Sequence, residues 1–171
     1  MHARKAVLGG LSPRENREVP PLRFDVVQAL ALECPQLWIG VNGGLRTAGQ
    51  CEAALQWCDG VMLGREAYHR PSVLAELHQR VFDDGWQCPD AAAVLERMAH
   101  YAAREVAGGE RAASITRHLL GLFAGQPGAR RYRQCLSEGA RSLGSGTQAA
   151  RQIVRLLREA AGLGAGHGCA A

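Results

Sequence analysis

Two glycine turns carry the residues best suited to hold an anion. Asn42, Gly43 and Gly44 end one short apolar run, Leu37 to Val41, and Gly64 and Arg65 end another, Gly60 to Leu63. Glycine at the C-terminal end of a strand lets backbone N–H groups approach a phosphate, the next helix start adds its dipole, and an arginine adds a forked, charge-assisted donor. The same glycines could simply make tight turns, and a short glycine motif alone does not separate the two readings. A second group of residues suits a polyanion. Nine arginines (Arg111, Arg117, Arg130, Arg131, Arg133, Arg141, Arg151, Arg155 and Arg158) face the single acid Glu138 over that stretch, in a chain of net charge +4. So one-sided a segment points to nucleic acid, with a solvated helical face as the bland alternative, which the single lysine, Lys5, favours. Arg130 and Arg133 share a helix face by spacing, as do Arg151, Arg155 and Arg158, and such rows can track a phosphate backbone with salt-dependent affinity. Arg14 and Arg17 form a smaller pair in a charged loop, each beside an acid, where either a local ion-pair network or an anion contact would account for them. The six cysteines, Cys34, Cys51, Cys58, Cys88, Cys135 and Cys169, contain no C-x-x-C pair, so no metal site is expected.

The elements that must position these groups follow from periodicity. Between the two apolar runs, Thr47 to Trp57 has alanines and leucine at helical spacing and a threonine placed to cap its start. Strand, helix and strand make a βαβ unit, right-handed and in need of neighbours, with strands short and apolar enough to be buried on both faces of a parallel sheet. In an α/β barrel the loops after the seventh and eighth strands are the usual phosphate site, and two glycine turns in tandem fit there. Upstream, Gly9 to Leu22 reads as a loop without regular structure, because of its glycines and prolines. A helix follows over Phe24 to Glu33 with Phe24, Val27, Leu30 and Ala31 inward, and another from Pro71 to Phe82 with Val73, Leu74, Leu77 and Val81 inward. The polar linker Asp83 to Pro89 marks a boundary, after which the pattern is purely helical: Asp90 to Val106, Ala112 to Phe123, Ala129 to Leu143 and Thr147 to Ala161. Short glycine-containing breaks suit antiparallel neighbours in a bundle, with core stripes Val94, Met98 and Tyr101; Ile115, Leu119 and Leu122; and Ile153, Leu156 and Leu157. The expected organisation is α/β plus all-α: residues 1–85, 86–162 and a flexible tail, 163–171.

At 171 residues, 47% of them hydrophobic and 21% charged, the composition is globular. No run of about twenty apolar residues exists and the start carries no secretory pattern, so a soluble, cytoplasmic protein without a membrane partner is expected.

Taken together, HARKA at His2 to Ala6, GLSPRENREVPPL at Gly10 to Leu22, VNGG at Val41 to Gly44, DGVMLGREAY at Asp59 to Tyr68 and GARRYR at Gly128 to Arg133 resemble the C-terminal half of a tRNA-dihydrouridine synthase, closest to the A subfamily. The resemblance implies the C-terminal portion of a TIM (β/α)8 barrel that binds flavin mononucleotide (FMN), followed by a small helical bundle that binds tRNA. It implies reduction of particular tRNA uridines to 5,6-dihydrouridine with NADPH as reductant, by a protein that is monomeric when intact. By the same resemblance His2, Asn42, Gly43, Gly44, Gly64 and Arg65 would hold the FMN phosphate region, and Arg14, Arg17, Arg130 and Arg133 would touch tRNA. Family members carry about half a barrel upstream of the HARKA segment, with a catalytic lysine and the cysteine that acts as general acid. Only Met1 precedes His2 here and none of the six cysteines matches the catalytic one, so no catalytic residue is expected in this chain, which reads as a truncated enzyme. The alternative is a non-catalytic tRNA-binding remnant; a different phosphate-binding barrel enzyme would explain the glycine turns but not the loop arginines or the basic helices.

Overall fold

The computed structural model describes residues 1–82 and 85–164. They fall into two compact units, one formed by Met1–Ala67 with Pro71–Trp86, the other by Tyr68–Arg70 with the chain from Gln87 onward. Residues 165–171, where most of a flexible tail is expected, lie outside the described residues.

The first unit is built on two short parallel strands, β1 (Gly40–Asn42) and β2 (Gly60–Met62), paired in the register Gly40 to Gly60, Val41 to Val61 and Asn42 to Met62. Asp59 sets that register: its carboxylate accepts from the Ile39 amide at 2.7 Å while its own amide donates to the Ile39 carbonyl at 3.0 Å. With the strands go α1 (Phe24–Glu33), α2 (Ala48–Leu55) and α4 (Ser72–Val81), while α3 (Arg65–His69) starts in this unit and has its last two residues in the other. Thr47 caps α2 in a full capping box, its side chain accepting from the Gln50 amide while the Gln50 side chain reaches back to the Thr47 amide. The chain start is not a bare lead-in. His2 bridges Asn42 in parallel, with Ala3 donating to the Asn42 carbonyl at 2.7 Å and the Asn42 amide to the Met1 carbonyl at 2.8 Å, so a third strand-like segment flanks β1.

Val41, Val27 and Cys51 form the core of this unit at 0–1% exposure, with Ala3, Ile39, Leu45, Ala54 and Cys58 around them. Burial on both faces of the sheet, expected from the apolar runs, is not what the structure shows. Trp38 lies across Gly40 and Gly60, where an added Cβ at Gly60 would stand 2.6 Å from its ring, yet Trp38 is 76% exposed and Met62 is exposed beside it. One face is therefore packed and the other is open. On α4 only Val73 and Leu77 turn inward, whereas Leu74 and Val81 are exposed. The loop from Gly9 to Leu22 also holds more structure than its composition suggests: Glu15–Arg17 form a 3-10 turn, started by Ser12 and Glu15, each bonding the other's amide.

In the second unit α5 (Ala91–Ala107), α6 (Ala112–Thr116), α7 (Ala129–Leu143) and α8 (Thr147–Gly164) enclose a single core. α8 is central, packed against both α5 and α7. Leu95, Leu136, Ile153 and Leu157 are at most 1% exposed, each such side chain contributing about 1.5–3 kcal/mol on burial. The face that α5 buries is rotated from the expected one: Leu95, Ala99, Ala102 and Val106 are inside, Val94 and Met98 are half-buried, and Tyr101 is exposed under the Arg104 guanidinium. The helix expected over Ala112 to Phe123 stops at Thr116 and gives way to successive turns, His118 to Ile115, Leu119 to Thr116 and Leu122 to Leu119. The Leu119 carbonyl, which already accepts from the Leu122 amide, also accepts from the Tyr132 hydroxyl at 2.8 Å inside the core. α8 runs three residues past Ala161 and ends with Gly164 against the Phe123 ring, where a side chain would collide.

Candidate anion-binding surfaces

Because Asn42 and Met62 are register partners, the two glycine turns leave adjacent parallel strands at the same level. Gly43 and Gly44 take positive φ values of 112° and 71°, which side-chain-bearing residues rarely adopt. The space is also closed to a side chain, since a Cβ on Gly43 would stand 3.1 Å from the His2 ring and one on Gly44 would run into Leu22. His2 Nδ1 accepts from the Arg4 amide at 3.1 Å, leaving Nε2 for another partner. The amides of Gly43, Gly44 and Gly64 donate to no backbone acceptor among the described residues, although Gly43 is buried. A cavity of about 430 Å³ lies over the exposed side of the strands, lined by Met1, His2, Trp38, Gly40, Asn42, Gly60, Val61 and Met62, and it shares His2 and Asn42 with the first turn. His2, Asn42, Gly43 and Gly44 are thus brought together, with donors to spare.

Arg65 is placed differently from a free phosphate ligand. Its Nη1 donates to Glu18 Oε1 at 3.2 Å and its Nη2 to the Arg17 carbonyl at 3.4 Å. Glu18 also faces Arg14, at 3.8 Å, so the ion-pair reading of the loop holds for Arg14, while the Arg17 guanidinium has no partner among the described residues. Arg4 holds the loop from beneath, donating to the Glu18 carbonyl at 3.1 Å and to the Pro20 carbonyl, and Asn16 ties it to Val7 and Leu11. Sequence reasoning missed Glu18 and Arg4. The available signal was an acid inside a cationic loop and an arginine two residues from His2.

On the second unit Arg130 and Arg133 are exposed and without ion-pair partners among the described residues, as are Arg131, Arg141, Arg151 and Arg155. Nine residues, or two and a half turns, separate Arg130 from Gly139, the point where α7 touches Leu156 of α8, so Arg130 points away from α8. The arginine row of α8 is divided by its pairing: Arg158 forks onto Glu96 of α5 at 2.5 and 2.9 Å and is neutralised there. That pair holds the Glu96 carboxyl below its ordinary value, chiefly through the Arg158 hydrogen bonds. Among the described residues no three histidines, cysteines or acids are grouped as a metal would need, and no helix is long and apolar enough to cross a membrane.

Residues 1–159 match the family described as "Dihydrouridine synthase (Dus)". The chain belongs to the dihydrouridine synthase family. It is 52% identical over 137 residues to the tRNA-dihydrouridine(20/20a) synthase of Pseudomonas syringae pv. tomato, an alignment covering 80% of this chain and 41% of that protein. The proteins of the same name from Escherichia coli K12 (43% over 159 residues) and Yersinia pestis (42% over 157 residues) are matched over 93% and 92% of this chain and 46% of their own length. The chain spans rather less than half the length of these curated relatives. For a dihydrouridine synthase chain, the two features above, turn amides without a backbone acceptor and exposed arginines without ion-pair partners among the described residues, are the parts of the molecule to be explained.

Proposed function

We propose that the chain is a C-terminal portion of a tRNA-dihydrouridine synthase: residues 1–85 as the closing part of a flavin-binding TIM barrel, and residues 86–162 as a four-helix RNA-binding bundle. The observation that carries this reading is the set of unpaired turn amides at the ends of two parallel strands, beside His2 and Asn42, in a chain matched to the family along nearly its whole length. A phosphate monoester fits that donor set, because three acceptor oxygens and up to two negative charges meet N–H groups that have no backbone acceptor among the described residues. His2, Asn42, Gly43, Gly44, Gly64 and Arg65 would hold the phosphate of FMN. When bound, the flavin supplies the hydride, drawn from NADPH, that reduces the uracil 5,6 double bond of a tRNA uridine.

No residue of this chain is assigned a catalytic role, and the general-acid cysteine is placed in a part of the enzyme outside it. Cys51 and Cys58 are buried, and the Cys58 thiol is spent on the Ala54 and Gly60 carbonyls. Arg14 and Arg17 on the loop and Arg130 and Arg133 on α7 would grip the tRNA backbone, as folded RNA is generally held by shape and phosphates. The intact enzyme would act as a cytoplasmic monomer without a metal.

The test is the salt dependence of tRNA binding by the purified chain. Arg130→Ala with Arg133→Ala should weaken binding and lower the log–log salt slope by about 1 per arginine removed. A double variant with unchanged slope would remove these arginines from the interface, and a chain with no affinity for tRNA at low salt would remove the RNA-binding reading.

A further inference from the structure

Arg65, which follows Gly64 in the second glycine turn, is also a strut that holds the arginine loop, so its charge is divided between the two tasks. Its fork is closed on Glu18 Oε1 and the Arg17 carbonyl, at 3.2 and 3.4 Å. We propose that Glu18 is a positioning residue that competes with a phosphate monoester for Arg65, so that filling the glycine turns changes how the loop presents Arg14 and Arg17. This rests on the reading of those turns as a phosphate site.

The pairing is built to be exchanged. Both side chains are about half exposed, 54% for Arg65 and 48% for Glu18, and a pair so wet is worth little against water and salt. A phosphate offers Arg65 greater charge and more acceptors than one carboxylate, and the amides of Gly43, Gly44 and Gly64, the last adjoining Arg65 in the chain, have no backbone acceptor among the described residues to compete for it. Once released, Glu18 has a second cation already beside it, Arg14 at 3.8 Å, while the Arg17 carbonyl loses its donor. The loop backbone does not let go, because Arg4 still holds the Glu18 and Pro20 carbonyls and Asn16 still holds Val7 and Leu11. The change is therefore confined to side chains and the 3-10 turn around Glu15–Arg17. By linkage, a polyanion that draws Arg14 or Arg17 out of the present arrangement shifts phosphate affinity in return.

The test is an amide-resolved NMR titration of the whole chain with inorganic phosphate at neutral pH. In the native chain, signals of Gly43, Gly44 and Gly64 should shift together with those of Arg14 and Arg17. Glu18→Gln should tighten phosphate about two- to fivefold, the size of an exposed ion pair, and shrink the loop response to what loss of the Arg17 carbonyl contact alone produces. Glu18→Asp, which keeps the charge, should fall between the two, and Arg65→Gln should lose most of the affinity. Unchanged or weaker phosphate binding by Glu18→Gln, or loop signals that ignore phosphate while the turn amides respond, would overturn the competition alone. Turn amides that ignore phosphate in the native chain would overturn the phosphate site and the competition with it.

Discussion

The helical unit and the sheet unit solve the problem of burial in opposite ways. In the helical unit α5, α7 and α8 close on one another, so that Leu95, Leu136, Ile153 and Leu157 are all sealed within a single core. In the sheet unit α1 and α2 cover only one face of β1 and β2, while Trp38 and Met62 stay exposed on the other. A parallel sheet is ordinarily covered on both faces, and its edges leave backbone groups unpaired until neighbours arrive. The difference teaches where each activity can reside. A surface that grips a large polyanion needs only a self-sufficient scaffold with unpaired cations, which α7 supplies. A phosphate cradle at strand ends is only as firm as the sheet that carries it, and this sheet is short.

The contrast can be broken by matched truncations. Leu157→Ala, at a site with no exposure and rigid neighbours, should destabilise the helical unit by about 2–5 kcal/mol. Leu45→Ala, next to the glycine turns and already 8% exposed, should cost the sheet unit an amount at the low end of that range, because its surroundings relax more readily. Denaturant titrations of the two variants check this, and equal losses would contradict it. A smaller effect comes from acid. Arg158 holds the Glu96 carboxyl below its ordinary value of 4.5, so the stabilisation is present above that value and is lost as pH falls through the lower, folded one. Melting midpoints of the helical unit should drop on acidification below about pH 4.5, and less steeply in Glu96→Gln. Identical pH profiles would show the pair to be inert.

Local signals were legible in the sequence where one residue's chemistry decides the outcome. Thr47 caps α2, Val27 lies on the inner face of α1, and Asn42 and the two glycines after it end a strand, all as the spacing predicts. Signals failed where packing decides. The inner face of α5 is defined by Ala99 and Ala102, small residues that pack in the core with α8, whereas periodicity weighs the larger Met98, which reaches the core only in part, and Tyr101, which is exposed. The turns after Thr116 are tied to the Tyr132 hydroxyl, thirteen residues beyond Leu119, a bond that no local pattern reports. The same holds for the site. Glycines and arginines could be read by type, but the hold of Glu18 on Arg65 spans 47 residues and exists only in the fold.

The sealed core of the helical unit and the open face of the sheet unit should give the two units different stabilities, which can be tested with probes already in the chain. All three tryptophans, Trp38, Trp57 and Trp86, belong to the sheet unit, whereas the three longest helices, of 17, 15 and 18 residues, belong to the other. Urea unfolding should be followed by tryptophan fluorescence and by far-ultraviolet circular dichroism on one sample. The fluorescence transition should come first, at clearly lower urea, with most of the helical signal still present. Coincident transitions would mean that the two units stand or fall together, and would contradict the account.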